Sequence, residues 1–131
     1  MTVRGTGVKG FAKGRAFVVN DRGQRNPFED IPAGSILVAK SISLSDSALI
    51  DFRNVKGIVT EEEDHDGQIH VLASGLGIPA IVGVGGFVQE IVNGDRLLIQ
   101  NFDVIVNPDL ETVNGFEQMR SEASDQLTLD M

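Results

Sequence analysis

Apolar runs in this chain are short, and turn residues break them at intervals that suit strands alternating with helices. Val3 to Val8 alternates loosely, and Gly14 to Val19 (GRAFVV) is β-branched and aromatic, so each reads as a strand. Asn20 to Asn26 is polar and reads as an exposed loop, and Pro32-Ala33-Gly34 reads as a turn. Ser35 to Ala39 (SILVA) is nearly all apolar, as in a strand covered on both faces. Ser45 is the expected N-cap of a short helix, with Asp46 in its first turn. Ala48, Leu49 and Phe52 form the stripe of that helix, which ends near Asn54. Gly57 to Thr60 is the next buried strand, and Thr60 to Asp66 (TEEEDHD) is an acidic loop. A second helix runs from about Gly67 to Leu76, because Ile69, Leu72, Ala73 and Leu76 share one face. Gly77 and Pro79 stop it, and Ala80 to Val82 is a short strand. Asn93-Gly94 signals a hairpin between Val88–Val92 and Arg96–Gln100. A last strand covers Val104 to Asn107. Pro108 then opens a C-terminal helix carrying Leu110, Val113, Phe116 and Met119 to about Ser121. The expected organisation is one domain over residues 1–122, with a frayed polar tail over 123–131.

Composition narrows the function classes. The chain has 131 residues, enough for one domain with its own core. Nineteen acids against eleven Lys and Arg leave a net charge of -8, which argues against nucleic acid as a partner. No apolar run approaches the ~20 residues of a membrane span, and the opening MTVRGTG lacks the apolar stretch of a signal peptide. There is no cysteine, so no disulfide framework, thiolate nucleophile or cysteine zinc site exists. A cytoplasmic protein fits these features. Tyr and Trp are absent, which removes stacking platforms, and each Phe reads as core packing.

Candidate chemistry concentrates in the acidic loop and the helix after it. Glu63, Asp64, His65 and Asp66 supply oxygen ligands and one imidazole, a set suited to Mg, Mn or Zn. Consecutive acids in a loop more often face solvent, so no metal and no other cofactor is expected, and a metal-binding scaffold is the third reading. Ser45 and Ser47 read as capping residues rather than nucleophiles. Gly83-Val84-Gly85-Gly86 reads as a turn rather than a phosphate loop.

Thr60 to Gly83, TEEEDHDGQIHVLASGLGIPAIVG, carries a more specific signal. It resembles the signature T-E-E-G-G-x-T-S-H-A-A-I-x-A-R-x-L-G-I-P-A-V-V-G around the phosphohistidine of phosphoenolpyruvate-utilising enzymes. That family includes Enzyme I of the sugar phosphotransferase system, pyruvate phosphate dikinase and phosphoenolpyruvate synthase. Thr60-Glu61-Glu62 matches the start without a gap, and Leu76-Gly77-Ile78-Pro79-Ala80 matches the end. Ile31 to Asp51 and Asn93 to Thr112 are similar to the flanking segments. The resemblance implies an α/β fold, the swivelling β/β/α phosphohistidine domain. In that family the histidine takes phosphate at a helix N-terminus, whose free N–H groups and partial positive charge favour anions, and the domain swings between two distant sites.

This chain departs from the signature where the chemistry lies. Glu63 and Asp64 replace two glycines, Asp66 and Gly67 replace the Thr-Ser pair, Gln68 replaces the histidine, and Ser74 replaces the arginine. A carboxamide nitrogen is delocalised into its carbonyl and is no nucleophile, so Gln68 hydrogen-bonds but does not carry phosphate. His65 lies three residues earlier, within ~10 Å of extended chain, and is the candidate displaced acceptor. His70 lies about 200° round the helix from Gln68 and is expected to point away.

The resemblance implies a stand-alone mobile domain of the phosphoryl-carrier type, with no turnover of its own. Its partner would be a separate subunit with a nucleotide- or phosphoenolpyruvate-binding domain, and a homo-oligomer is compatible with the sequence. The alternative is a degenerate, non-phosphorylatable binding or regulatory module of the same fold.

Overall fold

A computed structural model describes residues 1–19 and 27–129, with side chains through Ala123. The loop expected over Asn20 to Asn26 lies outside the described residues. Among the described residues, eight strands form a single sheet: β1 (Thr2–Arg4), β2 (Thr6–Val8), β3 (Gly10–Val18), β4 (Ser35–Ala39), β5 (Val55–Thr60), β6 (Ala80–Val82), β7 (Arg96–Asn101) and β8 (Asp103–Val106). The helices among the described residues are α1 (Leu44–Ser47), α2 (Gln68–Leu76) and α3 (Leu110–Leu129). Strand order is β1-β8-β7-β3-β4-β5-β6-β2. The run β3-β4-β5-β6 is parallel, and the remaining pairings are antiparallel.

The outermost strands of that order, β1 and β2, are consecutive in the chain and separated by Gly5 alone. The two ends of the sheet are therefore tied together through one residue, the strand being shared between β8 and β6. The sequence pattern predicts one strand from Val3 to Val8; the structure kinks it, so its halves pair with β8 and β6. Only glycine fits at the kink. A Cβ on Gly5 would stand 2.5 Å from the Val82 carbonyl oxygen and 2.7 Å from Ile81 Cγ2.

Alternation along the strands divides the apolar residues between two cores. Ile36 and Val38 of β4, Val59 of β5, Ile81 of β6, and Leu97 and Ile99 of β7 fill the interior. Leu37, Ala39, Ile58, Ala80 and Val82 face the other way and pack under Ile69 and Ala73 of α2. Both faces of β4 are thus covered, which is why the strand is apolar from Ile36 to Ala39. On the far side, α3 docks through the fully buried Phe116, whose ring centroid lies 6.0 Å from that of Phe11.

Several element boundaries differ from expectation. The first helix is capped by Ser43, not Ser45: Asp46 N–H donates to Ser43 Oγ, and Ser43 N–H donates to the Asp46 carboxylate. This reciprocal box fixes a single turn. The chain then breaks and re-forms as a short 3₁₀ turn, Phe52–Asn54, capped by Asp51. Val88–Val92 is not a strand. Gly85–Glu90 is a 3₁₀ turn that ends on Ile91 N–H to Val88 C=O, so the apolar Val88 and Ile91 reach the interior from a turn. Helix α3 runs past Ser121 to Leu129, through Glu122, Ala123 and Gln126, all good helix formers.

Candidate functional site

Strand β5, α2 and β6 form a βαβ unit, and the acidic loop joins the carboxyl end of β5 to the start of α2. Carboxyl ends of parallel strands are where open α/β sheets hold ligands. Thr60 anchors the loop: its side chain is fully buried and donates through Oγ1 to the Glu62 carbonyl at 2.8 Å. The loop continues the ladder beside β4, with Glu61 N–H on Ala39 C=O and Glu62 N–H on Lys40 C=O. Gly83, Val84 and Gly85 donate their N–H groups back to Glu62, Thr60 and Glu61 carbonyls. These three N–H groups of the glycine-rich segment are consumed inside the protein and cradle no phosphate. It is a structural turn, as the sequence implies.

The start of α2 is built by Asp64. An α-helix leaves four N–H groups without helical partners at its N-terminus; here these belong to Gly67, Gln68, Ile69 and His70. The Asp64 carbonyl accepts from Gly67 N–H at 3.2 Å. Its carboxylate accepts from Ile69 N–H at 3.2 Å through Oδ1 and from His70 N–H at 3.0 Å through Oδ2. Three of the four donors therefore go to one residue, and among the described residues the Gln68 N–H alone has no protein partner. Gly67 makes this reach possible. It turns the chain at φ +69°, a left-handed conformation that strains other residues, and offers no side-chain cap of its own. Sequence alone offers Asp64 as a solvated acid or a metal ligand rather than a cap, because it lies four residues before the first helical residue.

Gln68 is exposed at the first helical position. His65 is exposed in the loop and makes no hydrogen bond or ion pair with the described residues. Both line one depression of 210 Å³ with Ser41, Ser43, Glu62, Glu63, Asp64 and Asp66. The loop thus brings His65 and Gln68 to one surface, while His70 lines neither this depression nor its neighbour. The neighbouring cleft, 320 Å³, runs between α1 and α2 and is mostly apolar, with Ile42, Leu44, Val71 and Leu72 among its walls. Among the described residues, no group of three His, Asp or Glu side chains converges in a way that would hold a metal ion. Glu63 instead lies along Gly83, and Asp64 is occupied by the helix.

The mobile-domain model of phosphoenolpyruvate-utilising enzymes matches residues 31–102. The chain belongs to this family. It is 33% identical over 88 residues to a phosphoenolpyruvate-protein phosphotransferase of Haloferax volcanii, which covers 66% of this chain and 16% of that protein. The phosphotransferase of Bacillus subtilis is 34% identical over 85 residues, 63% of this chain and 15% of its own length. A solution structure of an Enzyme I protein superposes with a TM-score of 0.67 at 26% identity, over 74% of this chain and 40% of that one. The mixed α/β fold with one sheet is thus the fold of the Enzyme I phosphohistidine domain. The chain spans about a sixth of the length of these phosphotransferase relatives. Among the described residues, no helix is long and apolar enough to cross a membrane.

Proposed function

We propose that this mobile domain is a non-phosphorylatable docking or regulatory module that works beside a separate catalytic subunit holding the nucleotide or phosphoenolpyruvate. The observation that carries the proposal is the Asp64 carboxylate on the Ile69 and His70 N–H groups. In the family signature this position is a glycine, and the helix N-terminus is open to the phosphoryl group of the histidine. Here the helix already holds an anion of its own. A phosphoryl group brought to residue 68 would meet Asp64 at close range, where two like charges 4 Å apart repel by ~4 kcal/mol at an effective dielectric near 20. Glu62, Glu63 and Asp66 around the same depression add to that repulsion. Gln68 supplies no nucleophile. Fold and position favour docking with phosphoenolpyruvate-utilising machinery, and the residues at the site oppose transfer.

A second reading keeps the carrier role and moves the phosphate to His65, which lines the same depression as Gln68. One experiment separates the two. The protein is incubated with labelled phosphoenolpyruvate and the Bacillus subtilis phosphotransferase, and acid-labile, base-stable label is counted on the 131-residue chain. The docking reading expects none on the native chain. Stoichiometric label that disappears in His65→Ala would establish the carrier reading instead.

A further inference from the structure

A second charged feature, of opposite sign, lies on the outward face of β3 and β7. Lys13 and Arg15 of β3 share that face, and the register sets Arg15 directly opposite Arg96 of β7. Like charges facing each other across an antiparallel pair destabilise the sheet. The chain has nineteen acids against eleven Lys and Arg, so carboxylate partners are plentiful. Lys13 has one, Glu117 of α3 at 2.6 Å. Among the described residues, Arg15 and Arg96 have none.

The Arg15 guanidinium is held by backbone, and Arg96 is fixed at its main chain. Arg15 donates through Nη1 to the Gly94 carbonyl at 3.0 Å. Arg96 is pinned by Asn107, which accepts from its N–H at 3.0 Å through Oδ1 and donates to its carbonyl at 2.7 Å. The two side chains line a 360 Å³ cleft between the sheet and the start of α3, with Leu98, Pro108 and Val113 forming apolar wall. That volume lies at the small end of small-molecule sites. The cleft shares no lining residue with the depressions at α2.

We propose that this cleft binds a small organic phosphate carrying at least two negative charges. The paired guanidinium groups take the phosphate, and the apolar wall takes the body of the molecule. Guanidinium forks match phosphate oxygens geometrically and hold them by charge-assisted hydrogen bonds. A bound dianion turns the Arg15–Arg96 repulsion into shared attraction, which supplies a reason for an arrangement that otherwise only costs stability. The proposal is independent of the docking function, because its residues are different.

The test titrates the full chain with ATP, phosphoenolpyruvate and pyrophosphate at low salt, following thermal midpoint and the arginine Nε–H signals by NMR. At least one of these should bind below about 10 mM, a modest affinity, and move the Arg15 and Arg96 signals. Arg15→Gln/Arg96→Gln should weaken that binding about tenfold or more, the loss of charged hydrogen bonds. Lys40→Gln/Lys56→Gln, which removes the same charge elsewhere on the surface, should leave it unchanged. Without ligand, Arg96→Gln alone should raise the midpoint at low salt by relieving repulsion. Equal loss in the lysine variant would mean unspecific charge attraction and overturn the proposal. So would the absence of any phosphate binding, or binding of an acidic peptide in place of all three probes. A fall in the ligand-free midpoint of Arg96→Gln would assign the arginines a structural role and overturn it as well.

Discussion

The two ends of α2 match the family signature to different degrees, and the difference separates fold from chemistry. At the carboxyl end, Leu76-Gly77-Ile78-Pro79-Ala80 matches the signature residue for residue. Gly77 N–H closes the helix on Ser74 C=O, Ile78 N–H bonds Ala73 C=O, and the chain passes straight into β6. These residues decide where the helix sits on the sheet. At the amino end, the signature's glycines and histidine give way to Glu63, Asp64 and Gln68, yet the helix starts where the signature's histidine would start it. An internal carboxylate does there what a capping residue does elsewhere. A helix can therefore keep its place through its packed face and its exit, while its amino end changes sign from anion acceptor to anion supplier.

The packed face should be the costliest place to intervene. Ile69 is 5% exposed and Ala73 fully buried against β5 and β6. Ile69→Ala should lower unfolding free energy in urea by about 2–5 kcal/mol, the range for large-to-small core changes. A loss below 1 kcal/mol would mean that α2 is not fixed by this face. Next in size is Asp64→Ala, which uncovers two helix N–H groups. The loss of a capping carboxylate costs about 0.5–2 kcal/mol, and hydrogen exchange at Ile69 and His70 should quicken. An unchanged exchange rate would detach Asp64 from the helix. Gln68→His should move stability by no more than about 0.5 kcal/mol, as expected for an exposed position. A larger change would give Gln68 a structural role that its exposure does not suggest.

The smallest effect concerns α3. The hydrogen bond from Lys13 holds Glu117 below the ordinary carboxylate value of 4.5, with the charges of Lys13 and Arg120 adding to it and partial burial opposing. A depressed pKa contributes stability that is present above 4.5 and lost as pH falls through the folded-state value. Glu117→Gln should therefore flatten the acid limb of the thermal midpoint slightly and leave the midpoint's pH dependence near neutrality unchanged. An identical acid limb would remove this ion pair from the stability of the fold.

How much of this was legible in the sequence varied with the range of the interaction. The buried strands and α2 were readable because their apolar periods are local: SILVA, GIVT and the Ile69-Leu72-Ala73-Leu76 stripe. The tie between the two ends of the sheet was not, because it depends on Gly5 meeting Val82, a contact between distant parts of the chain. The cap of α1 lies two residues before the expected Ser45, since SISLSDS offers four serines and only the reciprocal bond with Asp46 distinguishes Ser43. Gln68 and His65 stand out through their place in the signature. Asp64 is visible in the sequence as an acid but not as the cap, because its reach depends on the left-handed turn at Gly67. The opposed arginines were invisible until strand register paired β3 with β7.

The helix end that carries the histidine in the family signature is here filled from within by Asp64. Amide signals of Ile69 and His70 report on it directly when inorganic phosphate is titrated into ¹⁵N-labelled protein. They should stay in place in the native chain and move in Asp64→Ala, where both N–H groups are released. Equal movement in the two proteins would contradict the claim, since the helix N-terminus would then be open to anions despite Asp64.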